Sequence, residues 1–395
     1  EGDCGACTVL VDGLVARACL IPAHGVSIVE VRKVSGRFAY DKASSFNRRV
    51  TPLTPVQING VARGNALMKT RFSTTGNDAR GTINNCGTGY TPWGTFLTCE
   101  ENWPNYFINR DKADFEARVS HKRYGLAKEG TSKNYAWETA DPRFDATPYA
   151  DQPHGGHVNE PHRFGWVVEI DPMDPQSVPV KRTALGRKAQ ESATCVSTRD
   201  GRLAVYMGDD TRFEYIYKFV SRDAIKPGGA AANATLLDHG TLYVARFHAD
   251  GSGEWLALVH GQGPLTASQG FADQGEVLIK TRQASDLLGA TKMDRPEWLA
   301  IDQANHQVFC SLTNNSARGQ AGQPDVDAAN PRRNNVMGQV IRWQESVDFD
   351  STRFNWSMLM LAGDSRNTRA EARGNVQGDA FACPDGLMFD TRGVL

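Results

Sequence analysis

The residues of this 395-residue chain best suited to chemistry are one cysteine in a turn-rich loop and a scatter of carboxylates. Cys86 sits in Asn84-Asn85-Cys86-Gly87-Thr88-Gly89, outside any apolar run. It reads either as a metal ligand or as a small buried side chain. A thiolate suits iron better than calcium, whereas hard ions such as calcium take oxygen from carboxylates and amides. Glu100 and Glu101 end a strand-like run, so they point to opposite faces and one of them reaches a given site; Glu100 is assigned there. Glu160 lies in an Asn-Glu-Pro turn and Glu191 in Gln190-Glu191-Ser192. The densest cluster is Gly208-Asp209-Asp210-Thr211-Arg212-Phe213-Glu214. Arg212 and Glu214, two apart, share a face of an extended strand. An arginine fork there can grip an oxyanion and a glutamate can hold a metal; a surface charge pair is the alternative. Asp209 and Asp210 suit either metal binding or a turn cap. Glu297 and Trp298 follow Pro296, which fixes the approach of their strand, and Trp298 alone suits core packing equally well. Asn314 and Asn315 offer amide oxygens for calcium or for a turn, and Asn314 is assigned to the site.

Short runs rich in Val, Ile, Tyr, Phe and Trp must position these residues. Examples are GWVVEI (residues 165–170), RLAVYM (202–207), FEYIYKFV (213–220) and TLYVARF (241–247), with glycine and proline between such runs. WLAID and QVFCSL (298–302 and 307–312) read as a hairpin, and PDGLMFDTRGVL (384–395) as a second strand–turn–strand unit. Helical periodicity is weak, with one short helix expected near 282–289. Two polar stretches, 110–157 and 315–335, read as long loops. The fold expected is all-β, of propeller or sandwich type.

With 44 basic and 45 acidic residues, the chain carries no charge excess that would favour nucleic acid or an anionic membrane. No apolar run reaches the roughly 20 residues of a membrane span. Eight cysteines scattered over this length do not form a disulfide framework. His154, His157 and His162 read as loop residues. A nucleophile-elbow serine, a phosphate-binding Gly-Lys loop and a His-Glu-x-x-His pair are all absent from the sequence.

Two resemblances follow. Asp3-Cys4-Gly5-Ala6-Cys7-Thr8, then Cys19, resembles the last three ligand positions of the 2Fe–2S module of molybdenum hydroxylases. Such a cluster needs four thiolates, and with three present no cluster is expected. Residues 1–21 are therefore expected to be a ferredoxin-like fragment and not a working domain. From residue 22 onward the chain resembles the PhoX-type bacterial alkaline phosphatases. The matching segments include INNCGTGYTPWGTFLTCEENW (83–103), NEPHRFGWVVEIDP (159–172), VYMGDDTRFEYIYKFVS (205–221) and MDRPEWLAI (293–301).

Membership would imply a six-bladed β-propeller with long loop insertions over residues 22–395, here expected to be incomplete at both ends. It would also imply a ferric pair with calcium ions and hydrolysis of small phosphate monoesters. The enzyme would act as a monomer, in the periplasm or secreted, after twin-arginine export. By the resemblance Cys86 would bind iron, and Arg212 and Trp298 would meet the substrate. The metal set would be Cys86, Glu100, Glu160, Glu191, Asp209, Asp210, Glu214, Glu297 and Asn314. Family members tend to have His-Glu-Gly where this chain has Gln190-Glu191-Ser192, which changes the surroundings of Glu191 and keeps the acid. An inactive or binding-only propeller, and an iron–sulfur electron carrier built on Cys4, Cys7 and Cys19, remain as alternatives.

Overall fold

A computed structural model describes residues 7–11, 14–17, 24–133, 136–390 and 392–395. Cys4 and Cys19 lie outside them, so the cluster reading falls largely outside the described residues. Alternating β-branched and aromatic runs produce a mostly β protein, with three sheets among the described residues. The first holds β1 (Cys7–Val11), β2 (Leu14–Arg17), β3 (Val26–Val34), β4 (Arg37–Tyr40) and β5 (Arg48–Val50), with β1 parallel to β3. The second holds β6 (Pro55–Asn59), β7 (Asp78–Arg80), β8 (Asn85–Tyr90), β9 (Phe96–Glu100), β10 (Val167–Ile170) and β11 (Val180–Arg182). Its order is β7-β6-β11-β10-β9-β8, which leaves β8 at an edge.

The third sheet is antiparallel throughout. It runs through β12 (Thr194–Ser197), β13 (Arg202–Gly208), β14 (Ile216–Ala224), β15 (Gly240–Phe247) and β16 (Ser252–Ala257). It continues with β17 (Pro296–Asp302), β18 (Gln307–Leu312), β19 (Gln339–Glu345) and β20 (Arg353–Leu361). Two meanders, β12 to β16 and β17 to β20, are joined where Gly253 faces Phe354. The free ends then approach each other. The Thr194 hydroxyl donates to the Leu299 carbonyl at 2.7 Å, linking β12 to β17 and nearly closing the sheet into a barrel. Gly208 makes this approach possible, since a Cβ there would lie 2.5 Å from the carbonyl oxygens of Pro296 and Glu297.

The 298–312 hairpin forms as read, pairing Leu299 with Cys310 and Asp302 with Gln307. Five short helices are described: α1 (Lys112–Ala117), α2 (Val119–Tyr124), α3 (Gly229–Ala232), α4 (Gln274–Ile279) and α5 (Thr281–Leu288). The helix expected near 282–289 is α5, ended by Gly289 in the left-handed conformation. Two expectations are corrected. The described residues of 384–395 make no ladder; Asp390 N–H, for example, bonds locally to the Val394 carbonyl at 2.8 Å. The stretch 110–157 is not bare loop: it carries α1 and α2 and packs Phe115, Tyr124, Leu126 and Phe144 onto Trp103, Phe107 and Phe164. The second stretch leaves and rejoins the scaffold at one point, where Asn315 and Asn335 exchange backbone hydrogen bonds of 2.6 and 3.1 Å. Its inner residues are tied down by Arg318, which bonds to Asp294 and to the Lys292 carbonyl.

Several buried charges of this scaffold are paired. The Glu345 carboxylate accepts from Tyr206 Oη at 2.6 Å, Trp255 Nε1 at 3.1 Å and Lys218 Nζ at 3.2 Å, and both ionic side chains are fully buried. Removing one partner of such a pair strands the other charge in an apolar interior. Lys218→Met is therefore expected to destabilise the fold by about 3–5 kcal/mol, read as a lower urea midpoint. A change below about 1 kcal/mol would refute the pairing.

Candidate metal centre

Two β-bulges aim the candidate site. On β8 the register against β9 shifts between Asn85 and Thr88, turning Cys86 out of the ladder. On β17 it shifts between Pro296 and Leu299, where Glu297 and Trp298 sit. Between them passes the 189–193 segment, close enough that a Cβ on Gly87 would lie 2.0 Å from the Glu191 carbonyl oxygen. Only a glycine fits there.

The side chains then converge. Cys86 Sγ lies 3.3 Å from Glu191 Oε1. One ligand atom each from Cys86, Glu101 and Glu191 falls within a 4.8 Å group, and Glu191, Glu297 and Asp385 make a second, sharing Glu191. Asp210 bounds the site and is gripped by Arg295, Nε to Oδ1 at 2.8 Å and Nη2 to Oδ2 at 2.7 Å. Arg295 Nη2 also lies 3.5 Å from Glu297 Oε1. Its backbone is left-handed, with φ +59°, an uncommon conformation for a residue with a side chain. The Trp298 indole lies beside Glu191 and favours its charged form. Glu101, Glu191, Asp210 and Glu297 are buried, Cys86 and Trp298 half-buried and Asp385 exposed, so the cluster has a buried floor and an open mouth.

Five carboxyls and a thiol thus surround one guanidinium. Burial first, then the charges of Glu191 and Asp210, pushes the Glu101 carboxyl well up. Burial and then Asp210 and Asp385 do the same to Glu191, and burial with Glu191 and Asp210 to Glu297. The Cys86 thiol is raised by burial and then by Glu191 and Glu101. Glu191 Oε2 is buried with no hydrogen-bond partner. Mutual repulsion of this kind is relieved by multivalent cations, and the donor set, carboxylate oxygens plus one thiol, fits hard ions together with iron. The residues present therefore fit the expected metal group.

Of the sequence-assigned residues, the structure brings together Cys86, Glu191, Asp210, Glu297 and Trp298. It takes others elsewhere. Glu100 points to the opposite face of β9 from Glu101, bonding to Lys181 Nζ at 2.7 Å and to the Gly165 and Trp166 N–H groups. Glu160 sits 3.5 Å from Arg163 Nε and 3.9 Å from Arg143 Nη1. Asp209 is held by Arg282, and Glu214 by Arg123 Nη2 at 2.9 Å with Arg282 at 3.5 Å. Each of these acids already has a cationic partner. The Arg212 side chain faces solvent: Phe213, with φ +69°, breaks the extended run whose face Arg212 was expected to share with Glu214. Asn314 donates to Cys383 Sγ at 3.5 Å, against the loop that carries Asp385.

Sequence reasoning did not assign Glu101, Arg295 or Asp385. Glu101 was visible as the other half of a pair, and Arg295 stood in the quoted MDRPEWLAI; Asp385, in a Pro-Asp-Gly turn, gave no signal.

A β scaffold whose two bulged strands and adjoining loops gather a thiol, five carboxyls and an arginine defines a protein with a polyacidic candidate cation centre. Residues 16–395 match the alkaline phosphatase PhoX family, and the chain belongs to that family. A solved structure of Pseudomonas fluorescens PhoX, in complex with vanadate, a transition-state analogue, superposes with a TM-score of 0.85 at 46% identity. The likeness covers 93% of this chain and 63% of that one, so the chain spans under two thirds of the solved protein. No curated protein matches. Among the described residues no helix is long and apolar enough to cross a membrane.

Lys188 lies in the same interior near Asp209, fully buried, with Nζ bonded to the Leu185 carbonyl at 2.8 Å. Burial lowers it from 10.5 to about 7, against the pull of Asp209. Between those values the unfolded chain binds a proton that the folded chain lacks. The stability of wild type relative to Lys188→Met is therefore expected to rise with pH across that window, by about 1.4 kcal/mol per unit. Urea midpoints of the two proteins from pH 7 to 10 test this, and a difference that stays flat would show that Lys188 is not neutralised by burial.

Proposed function

We propose that this chain is a metal-dependent phosphatase that hydrolyses small phosphate monoesters, with Cys86 as an iron ligand. Glu101, Glu191, Asp210, Glu297 and Asp385 would hold iron and calcium ions. The observation that carries this reading is the convergence of Cys86 with five carboxyls that have one guanidinium, that of Arg295, beside two of them. Family membership supports it, as does the likeness to a phosphatase solved with vanadate. Bound ions would supply the Lewis-acid charge needed to stabilise a transferring phosphoryl group.

The chain's own residues would do the rest. Arg295, fixed by Asp210 through Nε and Nη2, leaves Nη1 uncommitted among the described residues and is partly exposed at the mouth. It is better placed than Arg212 to grip a phosphate oxygen. Trp298 orients Glu191 and walls the mouth. The antiparallel meanders support a propeller arrangement, six-bladed in the whole protein, with residues 22–395 as the phosphatase domain and 1–21 as a non-functional fragment. A periplasmic or secreted monomer is the corresponding setting.

Metal and acid-labile sulfide analysis of the purified chain tests this reading, followed by phosphate-ester hydrolysis with and without chelator. Iron with calcium, no sulfide, and activity lost to chelator is the expected result; iron matched by sulfide would favour the electron carrier instead. Cys86→Ala should lose iron and activity together, and unchanged iron in that variant would sink the ligand assignment. Arg295→Met should lower kcat by about 10²-fold or more with iron content retained, the size expected for losing a preorganised donor. Unaltered turnover would remove Arg295 from the substrate's path.

A further inference from the structure

We propose that Arg282 is a positioning residue for the metal centre and that Asp209 is its anchor, not a ligand. The inference rests on the phosphatase reading above. Arg282 projects from α5, buried, and grips Asp209 in a fork, Nε to Oδ2 at 2.8 Å and Nη2 to Oδ1 at 2.6 Å. Nη2 also bonds to Thr211 Oγ1 at 2.9 Å. The same Asp209 Oδ1 accepts the Ala189 N–H at 3.2 Å.

The backbone continues this staple. Asp210 N–H donates to the Ala189 carbonyl at 3.1 Å, and Glu191 N–H to the Gly208 carbonyl at 3.2 Å, around a Gln190–Asp209 bridge. Two segments, 189–191 and 208–210, are thereby locked side by side. Each ends in an acid of the centre, Glu191 or Asp210. Neighbours on extended backbone point to opposite faces. Holding Asp209 on the Arg282 side thus turns Asp210 toward the cluster. Gln190, bonded through Nε2 to the Gly186 carbonyl at 2.7 Å, does the same for Glu191.

The helix end of the staple is itself fixed. Asp286, one turn beyond Arg282 on α5, binds Arg123 Nε at 2.8 Å and Nη2 at 2.9 Å. Arg123 in turn holds Glu214, which lies 3.5 Å from Arg282 Nε. Arg282 is therefore a rigid fork, and its charge answers Asp209 and Glu214 rather than the cluster.

Groups that orient metal ligands typically contribute 10–100-fold to metal affinity. Calcium titration of chelator-stripped protein, wild type against Arg282→Met, tests the role. The expected result is a 10–100-fold weaker apparent Kd, recovered in part by Arg282→Lys, whose ammonium lacks the fork. Asp209→Asn, which keeps the oxygen facing Ala189, should weaken calcium in the same direction and serves if Arg282→Met does not fold. Lys218→Met, which breaks a buried pair whose hydrogen bonds go to Tyr206, Trp255 and Ser351 and not to the centre, should leave calcium affinity unchanged despite its loss of stability. Binding within twofold of wild type in both Arg282→Met and Asp209→Asn would overturn the proposal. So would a loss in Lys218→Met as large as in Arg282→Met, which would mark the effect as one of stability. A wild-type chain that binds no calcium would instead overturn the metal-centre reading itself.

Discussion

Like charge forced together is the constraint on which the rest of this structure depends. Two carboxylates within 4.8 Å of one another, when both are ionised, repel by about 3 kcal/mol at an effective dielectric near 20. Glu191 belongs to both groups and so carries the repulsion twice. Such a cluster does not assemble by attraction among its members. It is imposed by backbone that has other reasons to be where it is: the near-closure of the third sheet, the edge position of β8, and the two bulges that turn side chains out of their ladders.

The two acidic runs show how the scaffold divides its charges. Glu100 and Glu101, like Asp209 and Asp210, are adjacent acids on extended backbone. In each pair the first residue goes inward to a lysine or arginine, and the second goes to the cluster. The inward member ties the strand to the core while the outward member is left to the solvent-facing centre. Acids paired within the core on one face thus support a cluster on the other in which acids outnumber cations.

This division sets what could be read from the sequence. The β class, the 298–312 hairpin, the short helix α5 and the roles open to Cys86, Glu191, Asp210 and Glu297 were legible from residue type, alternation and family likeness. Which of two adjacent acids faces the centre was not, because alternation gives the relation between neighbours and not the absolute face. That is decided by a remote partner, Lys181 for Glu100 and Arg282 for Asp209. The same limit applies to Arg212, where the left-handed Phe213 breaks the alternation, and to Glu214, captured by Arg123 from a helix some ninety residues away. Asp385 joins the centre from an irregular segment with no periodicity to read. The described residues of 384–395 carry strand composition without a ladder partner, and composition does not supply one.

The segment between Asn315 and Asn335 has a separate consequence. Its entry and exit are paired to each other, and Arg318 fastens its base, while most of residues 319–328 remain solvent-facing. Lengthening a loop whose ends are already held adds little closure entropy, about 0.6 kcal/mol for each doubling. Its tip is thus a natural place to graft an epitope or tether the protein to a surface, with the strands that carry Glu297 and Cys86 left undisturbed.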